Sequence, residues 1–457
     1  MKGTRLIQLD FLRGCAALLV MGHHGFLEAT QAGFFKWPAH VWWRLANSGV
    51  DLFFVLSGFL IGGLLFQEWK KSGNLDIKRF LIRRGFKIWP SYFFYVFFSI
   101  GVHSATVTWG DPWRGLTYLL PNLLHLQNYL VTPITHTWSL SVEEHFYLAL
   151  PFVLVYIGAR RPDWTKAWQG WGLSVLFVVG GIFLFQRVFL VVENSSLYFG
   201  EIAWYFQAFQ TPLFPVVWGL QLCLLSGVIF FVPLFRWKPT GEFSVLPVLA
   251  FSVFFLSAIM RIITIAATDS LHIHWMFSLF ATHMRLDGFA VGLLLAWFYV
   301  FRPTVLKHFA RYRILLVAIA LLLMGLDVLL PYDKLMVYAV EVVIFSVACA
   351  CLLLAMLYAP LETGAWAIFF RAWPTRAIMF VGTYSYTIYL WHVTPVRFWI
   401  AQNLFLSLAE TPRWVVLTCL HVLMSVFLGW LASQLIEIPF LRLRDRLFPG
   451  NARALAG

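Results

Sequence analysis

The sequence predicts an all-α, multi-pass membrane protein with about twelve transmembrane helices and both termini in the cytoplasm. Of the 457 residues, 60% are hydrophobic and only 12% are charged, and the mean hydropathy is +0.77. Apolar runs long enough to cross a bilayer, about 20 residues each, recur from one end of the chain to the other. This composition excludes a soluble globular protein and favours helices, which satisfy their own backbone hydrogen bonds in lipid.

Hydrophobic periodicity and turn signals divide the chain into twelve candidate spans. The remaining sequence forms short connections, apart from a long aromatic segment at 107–137, which we expect to turn back toward the membrane. The spans are 6–27, 48–68, 88–107, 138–158, 171–191, 212–235, 244–267, 285–301, 314–331, 335–358, 378–399 and 413–436.

The distribution of basic residues predicts the orientation. Connections 192–211 and 268–284 contain no lysine or arginine, whereas the segment 69–87 is dense in both. Because cytoplasmic loops carry the excess of positive charge, the basic set lies inside. Its other members are 160–166, 236–238, 302–313, 371–376 and 442–453.

The formal net charge of +13 does not indicate a nucleic-acid partner, because no continuous basic face exists outside the predicted membrane region. The basic loops favour anionic lipids or phosphate groups. All five cysteines lie in apolar segments, which favours core packing over disulfides. His272 and His274 share a loop with Asp269, but no further ligands converge there, so no metal site is predicted.

Polar residues in the first span are the strongest functional signal. Ionisable groups inside a spanning helix are costly and usually functional. Arg13 and His24 are eleven positions apart, about three helical turns and roughly 16 Å of rise, so they share one face. Asp10 lies on the same stripe and His23 points away. A buried salt bridge that holds helices together is the alternative.

Further polar residues open the next spans. Asp51 lies at a predicted membrane edge, followed by a buried Ser57. Glu143 and Glu144 begin an apolar helix. Ser139 precedes Glu143 by four positions, so the spacing predicts a hydroxyl beside that carboxylate.

The order of these motifs resembles acyltransferase family 3, membrane proteins that O-acylate bacterial surface glycans. The resemblance covers essentially the whole membrane region. The matching stretches are LDFLRGCAALLVMGHH, GVDLFFVLSGFLIG, RRGFKIWPSY, TWSLSVEEHFYL, THMRLDGFAVGLLLA, SYTIYLWH and EIPFLRLRDR.

The chain departs from the family pattern in three ways. Two apolar segments are added to a ten-helix core, Lys87 replaces the second arginine of an Arg-x-x-Arg motif, and His145 stands where glutamine is common. We expect one transmembrane acyltransferase domain at 1–440, a two-helix insertion at 168–240 and a short basic cytoplasmic tail at 441–457.

The resemblance implies transfer of an acyl group, most simply acetyl, from cytoplasmic acetyl-CoA to a hydroxyl of an extracytoplasmic glycan. Lipopolysaccharide O-antigen and exopolysaccharide are the expected acceptors, in the bacterial inner membrane. Histidine suits the role of general base near neutral pH. We expect His24 to be that base, with Arg13, Asp51 and Glu143 around it; a structural histidine and a helix-capping glutamate are the alternatives.

The donor and acceptor sites follow from the same resemblance. Arg83, Arg84, Lys87 and Tyr92, with Arg13, are expected to bind acetyl-CoA, since a basic cluster at a membrane surface recognises phosphate. A plain positive-inside loop is the alternative. Arg285 and Asp287 could instead pair and cap their helix, and His392 could belong to an aromatic belt. The expected acceptor-binding residues are Trp138, Ser139, Arg285, Asp287 and His392.

Two other functions fit parts of the sequence. A proton-coupled twelve-helix transporter would use the buried Asp, Glu and His side chains as a relay, but carriers usually show two related halves. A polyprenyl-phosphate-sugar glycosyltransferase would need a larger acidic outer loop. We therefore expect an acyltransferase, with membrane lipids and a glycan acceptor as its partners.

Overall fold

The computed structural model describes residues 6–24, 33–107, 119–130, 132, 134–158, 164–193, 213–236, 242–270, 280–330, 335–393 and 409–449. These ranges are helical and contain no strand. The α-helices are α1 Ile7–Met21, α2 Lys36–Ser72, α3 Ile77–Val107, α4 Trp138–Gly158, α5 Trp164–Glu193, α6 Leu213–Arg236, α7 Leu246–Ser270, α8 Asp287–Phe301, α9 Pro303–Ala310, α10 Arg313–Leu329, α11 Leu335–Leu357, α12 Gly364–Arg371, α13 Trp373–Thr383, α14 Ser385–Trp391, α15 Glu410–Ala432 and α16 Ile438–Leu447.

Each of the twelve predicted spans contains a helix, which confirms an all-α membrane protein. Within the described ranges, six helical stretches are long and apolar enough to cross a membrane. Helices α8 and α9, bent by 112° at Arg302, make a seventh if they are counted as one span. Length and composition alone therefore do not identify twelve membrane-spanning helices in the described ranges. Among the helices below the 18-residue length are α1, with 15 residues, and α10, with 17.

The long helix α2 is the centre of the bundle and packs against α1, α4, α8, α10 and α11. Its 37 residues span about 55 Å. The contact with α8 is the most extensive and depends on glycine. A methyl group on Gly58 would meet the Phe289 carbonyl oxygen, and one on Gly292 would meet that of Val55. Small residues let the two backbones touch, as in other membrane helix pairs.

Helix α1, which carries the Arg13/His24 motif, is enclosed between α2 and α13. Its buried face includes Leu9, Leu12 and Ala16. At the end of α1, the Trp42 indole donates to the Leu18 carbonyl oxygen at 2.9 Å, and the chain continues into a 3₁₀ turn at Gly22–His24. This tie holds the turn beside the start of α2.

The bundle has two distinct ends. We call the end where α1 finishes and α2 begins the histidine end, because it holds His24. The opposite end, where α2 meets α3 through a turn at Gly73 (φ 67°), is called the basic end because it holds Arg83 and Lys87. Helix α16 packs against α3 there, so the predicted tail from 441 begins as an ordered helix.

The described part of the segment before α4 folds against the middle of α3. The Tyr92 hydroxyl donates to the Asn122 carbonyl oxygen at 2.9 Å and accepts from the Gln127 amide at 2.8 Å. The predicted insertion forms α5 and α6, and α6 joins the bundle where the Gln221 amide donates to Thr264 of α7 at 2.9 Å.

Candidate active site

His24 and His392 meet at the histidine end. Nε2 of His392 lies 3.1 Å from Nδ1 of His24, and the ring centroids are 4.9 Å apart in an edge-to-face arrangement. His24 is placed by the turn after α1, and His392 directly follows α14. The structure thus joins two of the predicted site residues across 368 positions of sequence.

The backbone fixes which nitrogens of this pair carry protons. Nδ1 of His392 lies 2.6 Å from the Tyr389 carbonyl oxygen, which only accepts, so that nitrogen donates. In the neutral ring Nε2 of His392 is then an acceptor, and the proton between the two rings belongs to Nδ1 of His24. With that proton placed, the lone pair of His24 lies on Nε2, the form a general base requires.

A third histidine, His136, completes this group. Its ring centroid lies 5.4 Å from that of His392 and 6.2 Å from that of His24. Its Nε2 lies 3.2 Å from the Leu390 carbonyl oxygen. The Tyr389 hydroxyl donates to the His136 carbonyl oxygen at 2.6 Å, so the Ser139 hydroxyl, also at 2.6 Å, donates to Tyr389.

Glu143 is held by other partners than those predicted. The hydroxyls of Ser57 and Tyr147 both donate to its carboxylate at 3.0 Å. The predicted pairing of Glu143 with Ser139 is therefore wrong, because Ser139 faces Tyr389 of α14 and the hydroxyl beside Glu143 comes from α2. Both carboxylate oxygens are thus bonded to these hydroxyls, whereas His392 lies 3.1 Å from Nδ1 of His24.

Two arginines approach Glu143 from the side of the basic end. The Arg84 guanidinium lies over the Tyr147 ring, 5.2 Å from its centroid, and the charges of Glu143, Glu144 and Arg13 act on it. Among the described residues Arg84 has no hydrogen-bond or ion-pair partner. Arg13 forms a 3.3 Å ion pair with Asp10, one turn earlier on α1, and its side chain stays 34% exposed, so this pair is not a buried salt bridge between helices.

The other predicted donor residues are bonded to the C-terminal segment. Arg83 pairs with Asp445 at 3.1 Å, and Lys87 pairs with Glu437. Glu437 lies in a π-helical turn, Ser433–Glu437, a rare geometry that is frequent at functional sites. Tyr92 lies apart from this cluster, fully buried at mid-α3 and bonded to Asn122 and Gln127, so its hydroxyl supports the fold.

Asp51 and Arg285 form an ion pair at 2.8 Å with both side chains buried. The Arg285 guanidinium also lies 5.3 Å from the centroid of the Trp138 ring, a cation–π contact. Asp287 pairs instead with Arg261 of α7 at 2.8 Å. The alternative in which Arg285 and Asp287 pair with each other is therefore wrong, because each binds a charge on a different helix.

The family model for an acyltransferase domain, acyltransferase family 3, matches residues 6–224. The chain is similar to this family over residues 6–224. The match confirms the resemblance and contains Arg13, His24, Arg84 and Glu143. His392, outside the matched range, enters the site through the fold.

The chain is similar to named members of the family over a shorter range. It is 28% identical over 212 residues to the peptidoglycan O-acetyltransferase OatA of Listeria monocytogenes, covering 42% of this chain and 30% of that protein. It is 26% identical over 210 residues to the O-acetyltransferase OatA of Staphylococcus aureus, covering 42% and 31%. The chain thus spans under a third of these relatives' length. No solved structure matches it.

Three residues of the site were given no chemical role from the sequence. Ser57 was noted only as buried, and His136 and Tyr389 were not assigned a role. His136 precedes the first turn of α4 and falls on the same predicted side of the membrane as His24, which was a usable signal. The His23 ring stacks on Trp43 at 5.9 Å and lies edge to face against the His24 ring at 5.3 Å.

Metal ligation has no geometric support in the described part of the chain, where no three His, Cys, Asp or Glu side chains are arranged to hold an ion. The loop with His272 and His274 lies outside the described residues. His145, the third departure from the family, lies 2.7 Å from the Thr282 hydroxyl through Nδ1, which ties α4 to the turn before α8.

Proposed function

We propose that this chain is an integral-membrane O-acetyltransferase that moves an acetyl group from cytoplasmic acetyl-CoA to a hydroxyl of an extracytoplasmic glycan. The observation that carries the proposal is the 3.1 Å contact between His24 and His392 inside a chain whose first half matches the acyltransferase family. The contact orients an imidazole as a base at the end of the bundle that the charge distribution assigns to the outside.

His24 acts on the acceptor hydroxyl, which is a poor nucleophile until its proton is removed. Nε2 of His24 takes that proton as the hydroxyl oxygen bonds to the thioester carbon. The carbon–sulfur bond then breaks, the acetyl group stays on the glycan oxygen as an ester, and the CoA sulfur receives the proton from Nε2. The base is thereby returned to its starting form.

The donor reaches His24 along the face that carries Arg13. Arg83, Arg84 and Lys87 lie at the basic end, where the CoA phosphates would meet cationic side chains, and Arg84 extends toward Glu143. The acetyl-pantetheine arm then passes Arg13 and Glu143 toward the histidine end. Helical rise separates Arg13 from His24 by roughly 16 Å, a distance suited to an extended arm.

The acceptor class is a glycan of the cell surface, in a bacterial inner-membrane setting. Relatives named for peptidoglycan O-acetylation support a polysaccharide hydroxyl, and lipopolysaccharide O-antigen or exopolysaccharide remain the acceptors proposed from the sequence. Aromatic faces bind sugar rings, and Trp138, which stacks on Phe280 at 4.3 Å, lies one residue before Ser139 near the histidines. Trp138, Ser139 and Arg285 are the proposed acceptor contacts.

Inside-out membrane vesicles test the proposal. Cells whose own copy of the gene is deleted are complemented with wild type, His24→Ala or His23→Ala, and their vesicles receive radiolabelled acetyl-CoA. We expect wild type and His23→Ala to place alkali-labile label in the glycan fraction. His24→Ala should be lower by about 10²–10⁴-fold, the usual contribution of general base catalysis.

Two results would contradict the proposal. Full activity of His24→Ala would remove His24 as the base. Absence of ester formation by wild type, together with no binding of acetyl-CoA to the purified protein, would refute the enzyme and leave a proton-coupled transporter as the better explanation.

A further inference from the structure

We infer that His392 is a positioning residue that holds His24 in the tautomer and orientation a general base needs. The inference rests on the proposed function. It assigns to an imidazole the role that a carboxylate takes in a Ser-His-Asp triad, where the third group orients the histidine and stabilises the imidazolium.

His392 can take this role because its own position is fixed. The side chain is buried, with 1% of its surface exposed, and Nδ1 is bonded to the Tyr389 carbonyl oxygen at 2.6 Å. Tyr389 is anchored in turn by the His136 carbonyl oxygen and the Ser139 hydroxyl, each at 2.6 Å. The ring is therefore held from α14 and from the start of α4.

The same bonds decide which of the two histidines is the base. Both nitrogens of His392 are engaged, Nδ1 with Tyr389 and Nε2 with His24. A proton taken from a substrate must go to a nitrogen that carries a lone pair, and with a proton on Nδ1 the lone pair of the neutral His24 ring is on Nε2. His392 therefore acts through His24.

Three other described groups of the site are arranged differently from His392. The carboxylate of Glu143 is bonded to Ser57 and Tyr147. Nε2 of His136 is directed at the Leu390 carbonyl oxygen. The Val20 carbonyl oxygen lies 3.3 Å from Nδ1 of His24 and can share its proton, but it belongs to the preceding helical turn and does not extend across to α14 as His392 does.

When His24 becomes an imidazolium, the bond to His392 gains strength, since a charged donor forms a hydrogen bond about twice as strong as a neutral one. His392 stays neutral throughout. The titratable groups around it are His24 on the turn after α1, His136 before α4, Tyr389 on α14 and His421 on α15.

A pair of amide variants tests the inference. In His392→Gln the amide oxygen can reach the position of Nε2 and accept from His24, whereas in His392→Asn it reaches only the position of Nδ1. Both keep a buried amide of similar polarity. We expect kcat to fall less than about tenfold in His392→Gln and about 10²-fold in His392→Asn, with the KM for acetyl-CoA unchanged in both.

The second readout separates positioning from a structural role. His392→Asn should add no further loss of kcat to His24→Ala, since it acts only through that residue. In the otherwise wild-type protein it should lower the pH at which kcat reaches half its maximum, because it removes the bond that stabilises the His24 imidazolium. The assay is alkali-labile label in glycan, with His23→Ala as control and thermal unfolding in detergent to count folded protein.

Other outcomes would overturn the inference. Equal kcat in the Gln and Asn variants, or independent losses in the His24/His392 double variant, would show that His392 does not act through His24. Those results leave the proposed function standing if wild type forms the ester and His24→Ala does not. A wild type without ester formation would refute both.

Discussion

The histidine end and the buried arginine–aspartate pairs use polar groups inside one bundle in opposite ways. Arg44 on α2 is bonded to both the carbonyl and carboxylate oxygens of Asp327 on α10, and both side chains are buried. Arg261 and Asp287 form a comparable pair. His24, His136 and His392 instead contact backbone carbonyl oxygens and one another.

The difference shows what a buried polar residue can do. A buried charge is costly unless it is paired, so the arginine–aspartate pairs bond across helices and fix those helices in place. A neutral imidazole bonded to a carbonyl oxygen keeps one nitrogen available for proton transfer. We therefore expect changes to the first group to alter stability and changes to the second to alter turnover.

The largest effect on stability is expected at Arg44 and Asp327. Asp327→Leu removes one partner and leaves the arginine buried without its carboxylate, which costs about 3–5 kcal/mol. The double variant Arg44→Met/Asp327→Leu replaces the pair by apolar groups and should recover most of that loss. Thermal unfolding in detergent measures both, and turnover per folded molecule should stay near wild type. If Asp327→Leu were as stable as wild type, the buried pair would not hold the helices in place and the comparison would fail.

A smaller effect, on the KM for acetyl-CoA, is expected at the basic end. Arg83 is paired with Asp445, whereas Arg84 has no bonded partner in the described part of the chain. Arg84→Gln should raise the KM for acetyl-CoA about tenfold or more, the value of a hydrogen bond to a charged group. Arg83→Gln should raise it less than about threefold. Steady-state kinetics in vesicles distinguishes them; equal KM values would assign Arg84 a structural role.

The smallest effect is expected at the surface pair between Arg302 and Glu242, which lie 2.7 Å apart in exposed connections. The hydrogen bond from Arg302 lowers the pKa of Glu242 from its usual 4.5. The stabilisation is therefore present above pH 4.5 and is lost as the pH falls through the lowered pKa. Glu242→Gln should leave the unfolding temperature at pH 7 unchanged within error. A large loss there would contradict the expected weakness of exposed pairs.

The sequence predicted the helices well because apolar runs and their periodicity are local properties. It also indicated Arg13 and His24, although His24 lies in the 3₁₀ turn after α1 and not on the helix that carries Arg13. The contact between His24 and His392 could not be predicted, since 368 positions separate them and no periodicity relates the start of a chain to a helix near its end.

Local reasoning failed where packing between helices decides the partner. Ser139 and Glu143 do share a helix face by spacing, but the start of α4 packs against α14, so Ser139 meets Tyr389. Glu143 one turn further on meets Ser57 because α2 approaches α4 there. Arg285 and Asp287 are two positions apart, and each pairs with a different helix.

The most direct test of the account measures turnover and stability together for His24→Ala and for Arg44→Met/Asp327→Leu. We predict that His24→Ala unfolds at the wild-type temperature while forming alkali-labile glycan ester at least about 10²-fold more slowly. The double variant should keep turnover per folded molecule within about threefold of wild type. A His24→Ala protein that turns over at the wild-type rate would contradict the claim that the histidine end carries the chemistry.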